Sequence, residues 1–293
     1  MIKYILIIIT IFISEGILAQ NIGAKQDDYG GLEAGLNVGA YFGNSNTANF
    51  YNGTGTKADE MNSADDVINN IHYMDRINEV LEQNLFPYRL ISGEFYTEYP
   101  SSMTYSPSIN AGLTGRYWFN RSIGFSVSMN FARLNARDNF LIHTPNEIPT
   151  NKEPLYVLGT IVGQEDRVNI DIGLVNSFYL NDRMNLLVEY GFNFNNNIVK
   201  FNDIEIYGLV LDIRYRGPAD YIPNSNTQQY NFKQGGLGYG GYINPGIQFN
   251  FNESMSIDLV SQFYYSYIDL EYYSAWGFHW TPFLRFNISR LFF

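Results

Sequence analysis

Residues 237–251 read LGYGGYINPGIQFNF. Sorted by parity, one set is Leu237, Tyr239, Gly241, Ile243, Pro245, Ile247, Phe249 and Phe251. The other is Gly238, Gly240, Tyr242, Asn244, Gly246, Gln248 and Asn250. No helical phase separates these sets, whereas a β-strand places them on opposite faces, one apolar and one small or polar. Gly236, Gly238 and Gly241 match a dinucleotide-binding G-x-G-x-x-G by letter. They lead into an alternating strand and not into a helix whose N-terminus could take a phosphate, so they read as relief of crowding within a strand.

Seven further segments split similarly with varying clarity, 32–42, 109–119, 123–131, 168–180, 184–195, 255–267 and 284–292, of which 255–267 is the noisiest. In 184–195, Met184, Leu186, Val188, Tyr190, Phe192 and Phe194 oppose Asn185, Leu187, Glu189, Gly191, Asn193 and Asn195. The connections alternate as well. Residues 119–122, 180–183 and 251–254 are short and polar, each built on an Asn beside a charge (Asn120, Asn181, Asn252), whereas 43–106, 134–167 and 196–236 are long. A shorter connection near 270–277 falls on the long-loop side. Alternating short and long connections with an even strand count describe an antiparallel up-and-down barrel crossing a membrane, both termini on the short-turn side.

This pattern over residues 31–293, with the terminal aromatic Phe293, resembles the small eight-stranded outer-membrane β-barrels of Gram-negative bacteria, the OmpA/OmpX-like type. The resemblance implies an all-β, transmembrane antiparallel barrel in the bacterial outer membrane, in contact with lipid. The last strand departs from the family habit: its apolar parity (Phe292, Ile288, Phe286, Leu284) is offset by one from Phe293, and Arg290 sits within it. Eight strands are expected. Glu205 to Arg214 alternates weakly and Tyr156 to Val162 is apolar, so the long connections either extend strands beyond the membrane or add a hairpin that makes ten.

Composition agrees. Tyr, Phe and Trp number 24, 22 and 3, or 17% of 293 residues, and only 16% are charged. Such a balance suits apolar side chains facing lipid better than a soluble core. The formal charge of -11 opposes a nucleic-acid partner, and the absence of Cys excludes disulfides and thiolate metal sites. No cofactor is implied. Residues 1–20 (MIKYILIIITIFISEGILAQ) carry Lys3, an apolar run too short to span a bilayer and a cleavage region near Ala19; they read as a secretory signal. Residues 21–30 then form a short periplasmic segment.

The inward parity collects Glu33, Arg116, Asp171, Glu189, Asp258 and Arg285. Ions in so narrow a lumen must pair, and these six are expected to form one ionic network, with Arg116 beside Glu33 and Arg285 reaching Asp258 or the first strand. Within 43–106, Ser63 and Asp66 resemble a capping box. Val67, Ile71, Met74, Leu81 and Leu85 recur at helical spacing until Pro87, giving one amphipathic helix whose acidic outer face suits a cap over the barrel mouth. The three histidines lack any metalloprotease or nucleophile-elbow spacing, so no catalytic residue is assigned. His279 with Ser274 or Tyr273, and His143 with Asp138 five residues before it, are pairs that a rim-site enzyme could use. The leading reading is a non-enzymatic barrel with a plugged lumen, whose outer loops contact an extracellular or envelope protein partner. A narrow channel or small-ligand transporter is the alternative, and a rim-site lipid-modifying enzyme or protease the second.

Overall fold

The computed structural model describes residues 31–55, 62–84, 86–147, 154–214, 234–252, 254–270 and 273–289. The expected signal (1–20), the segment 21–30, Leu85, Arg290, Phe292, Phe293 and residues 215–233 of the 196–236 connection lie outside the described residues. Eight strands form a ring: β1 (Gly31–Tyr41), β2 (Ser108–Trp118), β3 (Ile123–Glu147), β4 (Pro154–Asn181), β5 (Met184–Ile206), β6 (Gly235–Asn250), β7 (Met255–Leu270) and β8 (Tyr273–Ser289). Each pairs antiparallel with its sequence neighbours, and β1 closes the ring on β8 from Glu33↔Ser289 to Gly39↔Phe283. The expected alternation is borne out. Leu36, Leu113, Met129, Phe192, Ile243, Leu259 and Leu284 point outward and exposed, while Asn37, Thr114, Ser128, Asn193, Asn244, Asp258 and Arg285 are buried inside.

The short turns owe their geometry to the Asn in each. Asn120 Oδ1 accepts from the amides of Ser122 and Ile123 at 2.8 and 2.9 Å; Asn252 Oδ1 accepts from Ser254 and Met255, both at 2.8 Å; Asn181 Oδ1 accepts from Arg183 at 3.0 Å. A side-chain carbonyl that satisfies two free amides lets the chain reverse without water.

At the far end the strands extend into the expected connections, the alternative that Tyr156 to Val162 and Glu205 to Arg214 left open. β3, β4 and β5 run for 25, 28 and 23 residues, where a membrane crossing takes about 9–11. Residues 134–147 and 154–167 are therefore strand, and so is 196–206. The lumen face of β3 shows why. Ser126, Ser128 and Asn130 are followed on the same parity by Ala132, Leu134, Ala136, Phe140 and Ile142, all buried. Outward, Phe125, Val127, Met129 and Phe131 give way to Arg133, Asn135, Arg137 and Asn139. The sheet continues while its solvent changes from lipid to water, so its apolar face turns inward.

That inner face carries a core outside the membrane, built with the first connection. Instead of one helix there are α1 (Ser45–Ala48), α2 (Ala64–Asn69) and α3 (Ile71–Gln83). Ser63 caps α2 by accepting from Asp66 N at 3.3 Å. Asn70 then leaves helical geometry at ψ 123° and caps α3 through His72 N. This break resets the helical phase, so Ile71 is 70% exposed instead of facing the core, while Ile77 joins Val67, Met74 and Leu81 inside. Phe50, Tyr51, Leu90, Met103, Ile142, Ile161 and Ile204 belong to the same core.

The suspected extra hairpin exists but stays out of the ring. Leu209–Asp212 folds back on β5 through Tyr207 (φ 46°) and Gly208 (φ 83°), both left-handed as a two-residue reversal requires. Beside it, partial burial and Asp212 push the Asp203 carboxyl up to about 6, against the pull of Arg214. An acid raised above its ordinary 3.8 stabilises the fold when protonated, fully below that value and progressively less as pH rises through about 6. Hydrogen exchange at Ile206 to Leu209, corrected for intrinsic rates, is expected to slow between pH 7 and pH 5, and Asp203→Asn to abolish that dependence.

Candidate functional site in the lumen

Three polar storeys fill the bore. In the lowest, towards the short turns, register sets Glu33 opposite Arg116 and Asp258 opposite Arg285. Arg116 Nη1 meets Glu33 Oε1 at 2.6 Å, Nη2 meets Asp258 Oδ2 at 2.7 Å, and Nε donates to Glu189 Oε1 at 2.8 Å; Nη2 also donates to Glu189. Arg285 donates to Glu189 Oε1 at 2.6 Å and to Asn37 Oδ1 at 2.9 Å, with Asp258 3.6 Å away. Asn244 and Asn287 complete the shells of Glu189 and Asp258 at 3.0 and 2.8 Å. The cluster thus holds three carboxylates on two guanidiniums and crosses the lumen from five strands.

Asp171 does not belong to it, contrary to expectation. Its register partners are Ser128 and Asn193, which lift it a storey above the arginines. There it accepts from neutral groups: Asn193 Nδ2 at 2.7 Å, Gln262 Nε2 at 2.8 Å, the Tyr264 hydroxyl at 2.9 Å, and Ser128 and Asn130 at 3.2 and 3.4 Å.

The highest storey was missed from sequence, because Glu165 and Arg167 fell inside an expected connection. Both are fully buried, and Arg167 Nη2 lies 2.5 Å from Glu165 Oε1. Arg167 also donates to the Tyr41 hydroxyl at 3.1 Å and to Thr47 Oγ1 at 3.2 Å. Glu165 Oε2 accepts from the hydroxyls of Tyr51 and Tyr105, each at 2.9 Å. Thr47 and Tyr51 come from the first connection, so this ion pair ties the lid to the barrel wall. The available signal was parity: Glu165 and Arg167 continue the inward set of Asn169 and Asp171.

The histidine pairs are not formed. His279 is buried in the lumen, where its Nδ1 accepts from the Asn44 amide at 3.2 Å and lies 3.3 Å from Arg167 Nη1; Tyr273 instead donates to the Asn46 carbonyl at 2.5 Å. His143 Nε2 lies 2.8 Å from Glu98 Oε2, and its ring stacks on Tyr96 at 4.5 Å. Among the described residues no group of three His, Asp or Glu could hold a metal ion.

A closed eight-stranded antiparallel ring with an apolar belt and a polar filled bore is the architecture of the small outer-membrane β-barrels. No family model and no curated protein matches the sequence. Solved structures similar to it include Neisserial surface protein A, at 6% identity over 88% of this chain and 96% of that one, with a TM-score of 0.42. The attachment invasion locus protein Ail of Yersinia pestis gives 11%, 87%, 98% and 0.32, and OprG of Pseudomonas aeruginosa 9%, 88%, 95% and 0.37.

Arg116 is the common partner of all three carboxylates. Arg116→Ala is expected to cost about 3–5 kcal/mol in equilibrium unfolding, the scale for stranding buried charge. Glu33→Gln, at the edge of the cluster and with Ser289 and Trp118 still in reach, should cost clearly less. Equal losses would contradict the shared-cation arrangement.

Proposed function

We propose that this chain is exported by a cleaved signal in residues 1–20 and resides in the outer membrane as a non-conducting, non-enzymatic barrel. Its working part is the folded domain above the membrane, which acts as a contact surface for an extracellular or envelope protein. The observation that carries this reading is the double closure of the bore. Charged and amide side chains cross it at two levels, and the Glu165–Arg167 pair holds an apolar lid over a third. Eight strands enclose only enough space for their own side chains, which supports a plug over a pore.

The upper domain supports a surface role by its size and rigidity. Extending three strands past the membrane by ten or so residues does nothing for membrane insertion. It does provide a wall on which α2 and α3 pack with buried Val67, Ile68, Ile77 and Leu81. Loops that are held in place present a defined surface without an ordering cost on binding.

Planar-bilayer recording of the refolded full chain is expected to give no discrete current steps. Defined steps that vanish in Arg116→Ala or Glu189→Gln would overturn the plugged reading in favour of a narrow channel. Surface protease on intact cells should cut within residues 44–106 and spare 119–122; the reverse would invert the orientation.

A further inference from the structure

Where the outward apolar run ends on β3, β4 and β5, a charged cluster begins. Arg133 follows Phe131, Asp166 precedes Val168, and Lys200 follows Ile198. Arg133 Nε and Nη2 reach the two Asp166 oxygens at 2.7 and 3.1 Å, and Lys200 Nζ reaches Oδ2 at 3.0 Å. Arg137, outward and exposed four residues further along β3, has no partner among the described residues. Two cations therefore share one carboxylate, and with Arg137 the three exceed Asp166 by two positive charges, in a chain whose net charge is -11.

Two observations set this apart from an ordinary surface ion pair. The first is height. Ile123 to Phe131 on β3 covers about 30 Å of strand, or about 23 Å along the membrane normal at a typical tilt near 40°, which matches an apolar belt of about 25 Å. Arg133 and Lys200 thus lie at headgroup depth, on the side of the long connections. The second is the bulge. β4 pairs Glu165 with Val199 and Gln164 with Phe201, so Lys200 is left without a cross-strand partner. Such bulges re-aim a side chain, and this one turns the Lys200 ammonium to Asp166. The Arg133 and Lys200 side chains nevertheless remain 52% and 40% exposed.

We propose that Arg133, Arg137 and Lys200 bind the phosphate of an anionic lipid in the outer leaflet. Asp166 holds the two nearer cations at the wall and competes with the phosphate. Guanidinium forks match phosphate oxygens in pairs, and the ammonium adds a point charge from the far side of β4. The inference rests on the membrane embedding and orientation argued above and is independent of whether the lumen conducts.

The test is native mass spectrometry of the full chain, refolded in neutral detergent and titrated with bisphosphorylated lipid A or its fully dephosphorylated form. The wild type should prefer the phosphorylated lipid, and each cation removed should weaken that binding roughly fivefold, with roughly a hundredfold loss in Arg133→Ala/Arg137→Ala/Lys200→Ala. Asp166→Asn should strengthen it, a sign that a purely structural ion pair cannot produce. Equal binding of the two lipids, or a preference unchanged in the triple variant, would overturn the site and leave a rim ion pair. So would displacement by inorganic phosphate at concentrations no higher than the lipid's. Circular dichroism verifies each variant's sheet, and single Lys200→Ala with Asp166→Asn decides the matter if the triple variant does not fold. Inverted surface proteolysis would mark failure of the orientation itself.

Discussion

In hydrocarbon every backbone N–H and C=O must find its partner within the protein, and a sheet achieves this only by closing on itself. Here closure falls to β1 and β8, the two ends of the strand order, paired from Glu33↔Ser289 to Gly39↔Phe283. The ring leaves little room. A Cβ on Gly35 would lie 2.6 Å from Asn287 Oδ1 and 2.9 Å from the Arg285 stem, so the absence of a side chain there lets Arg285 lie across β1 towards Asn37. Closure thus brings residues from the two ends of the chain into one polar cluster, and the charge arrangement of the lumen follows from the hydrogen bonds of the wall.

The membrane crossing was legible because each strand there obeys one rule, apolar out and polar in. The Asn-bearing turns and the Glu33–Arg116 pairing came from the same rule. What was illegible lies where the rule changes. Past Phe131 the chain keeps its inward parity, but the inward residues become Ala132, Leu134 and Ala136. Read as sequence, the apolar set jumps from odd to even positions, which looks like the end of a strand. At Lys200 the bulge adds a second shift, carrying the inward set from Val199 to Asn202, Ile204 and Ile206. Glu165 and Arg167 were lost with the same misplaced boundary. The loop helix failed for a different reason: capping by Asn70 outweighed the apolar spacing that ran across it.

Charge in the bore is graded in kind. Near the short turns, where three carboxylates converge, two guanidiniums answer them. A storey higher a lone carboxylate, Asp171, is met by amides and hydroxyls from β3, β5 and β7. An isolated buried carboxylate is tolerated only when its lone pairs are taken up by donors, and the surrounding Ser, Asn, Gln and Tyr supply five. The abundance of lumen amides is explained by this demand: each can donate to a carboxylate and still accept from a neighbour, as Asn193 does between Asp171 and Asn195.

The two seals consequently differ in what sustains them. The lower one is polar throughout and depends on complementary charge, so it is sensitive to single substitutions. The upper one is mainly apolar, with one ion pair fixing its position, and spreads its stability over residues from three helices and several strands. A bore needs only one seal to stop ions. The second makes sense as the floor of the domain above it: Tyr51 and Tyr105 press the first connection onto Glu165, so the surface that connection presents is set by the barrel wall beneath. A surface held from beneath in this way gives up adaptability, and under the proposed role as a contact surface it loses little conformational entropy on binding.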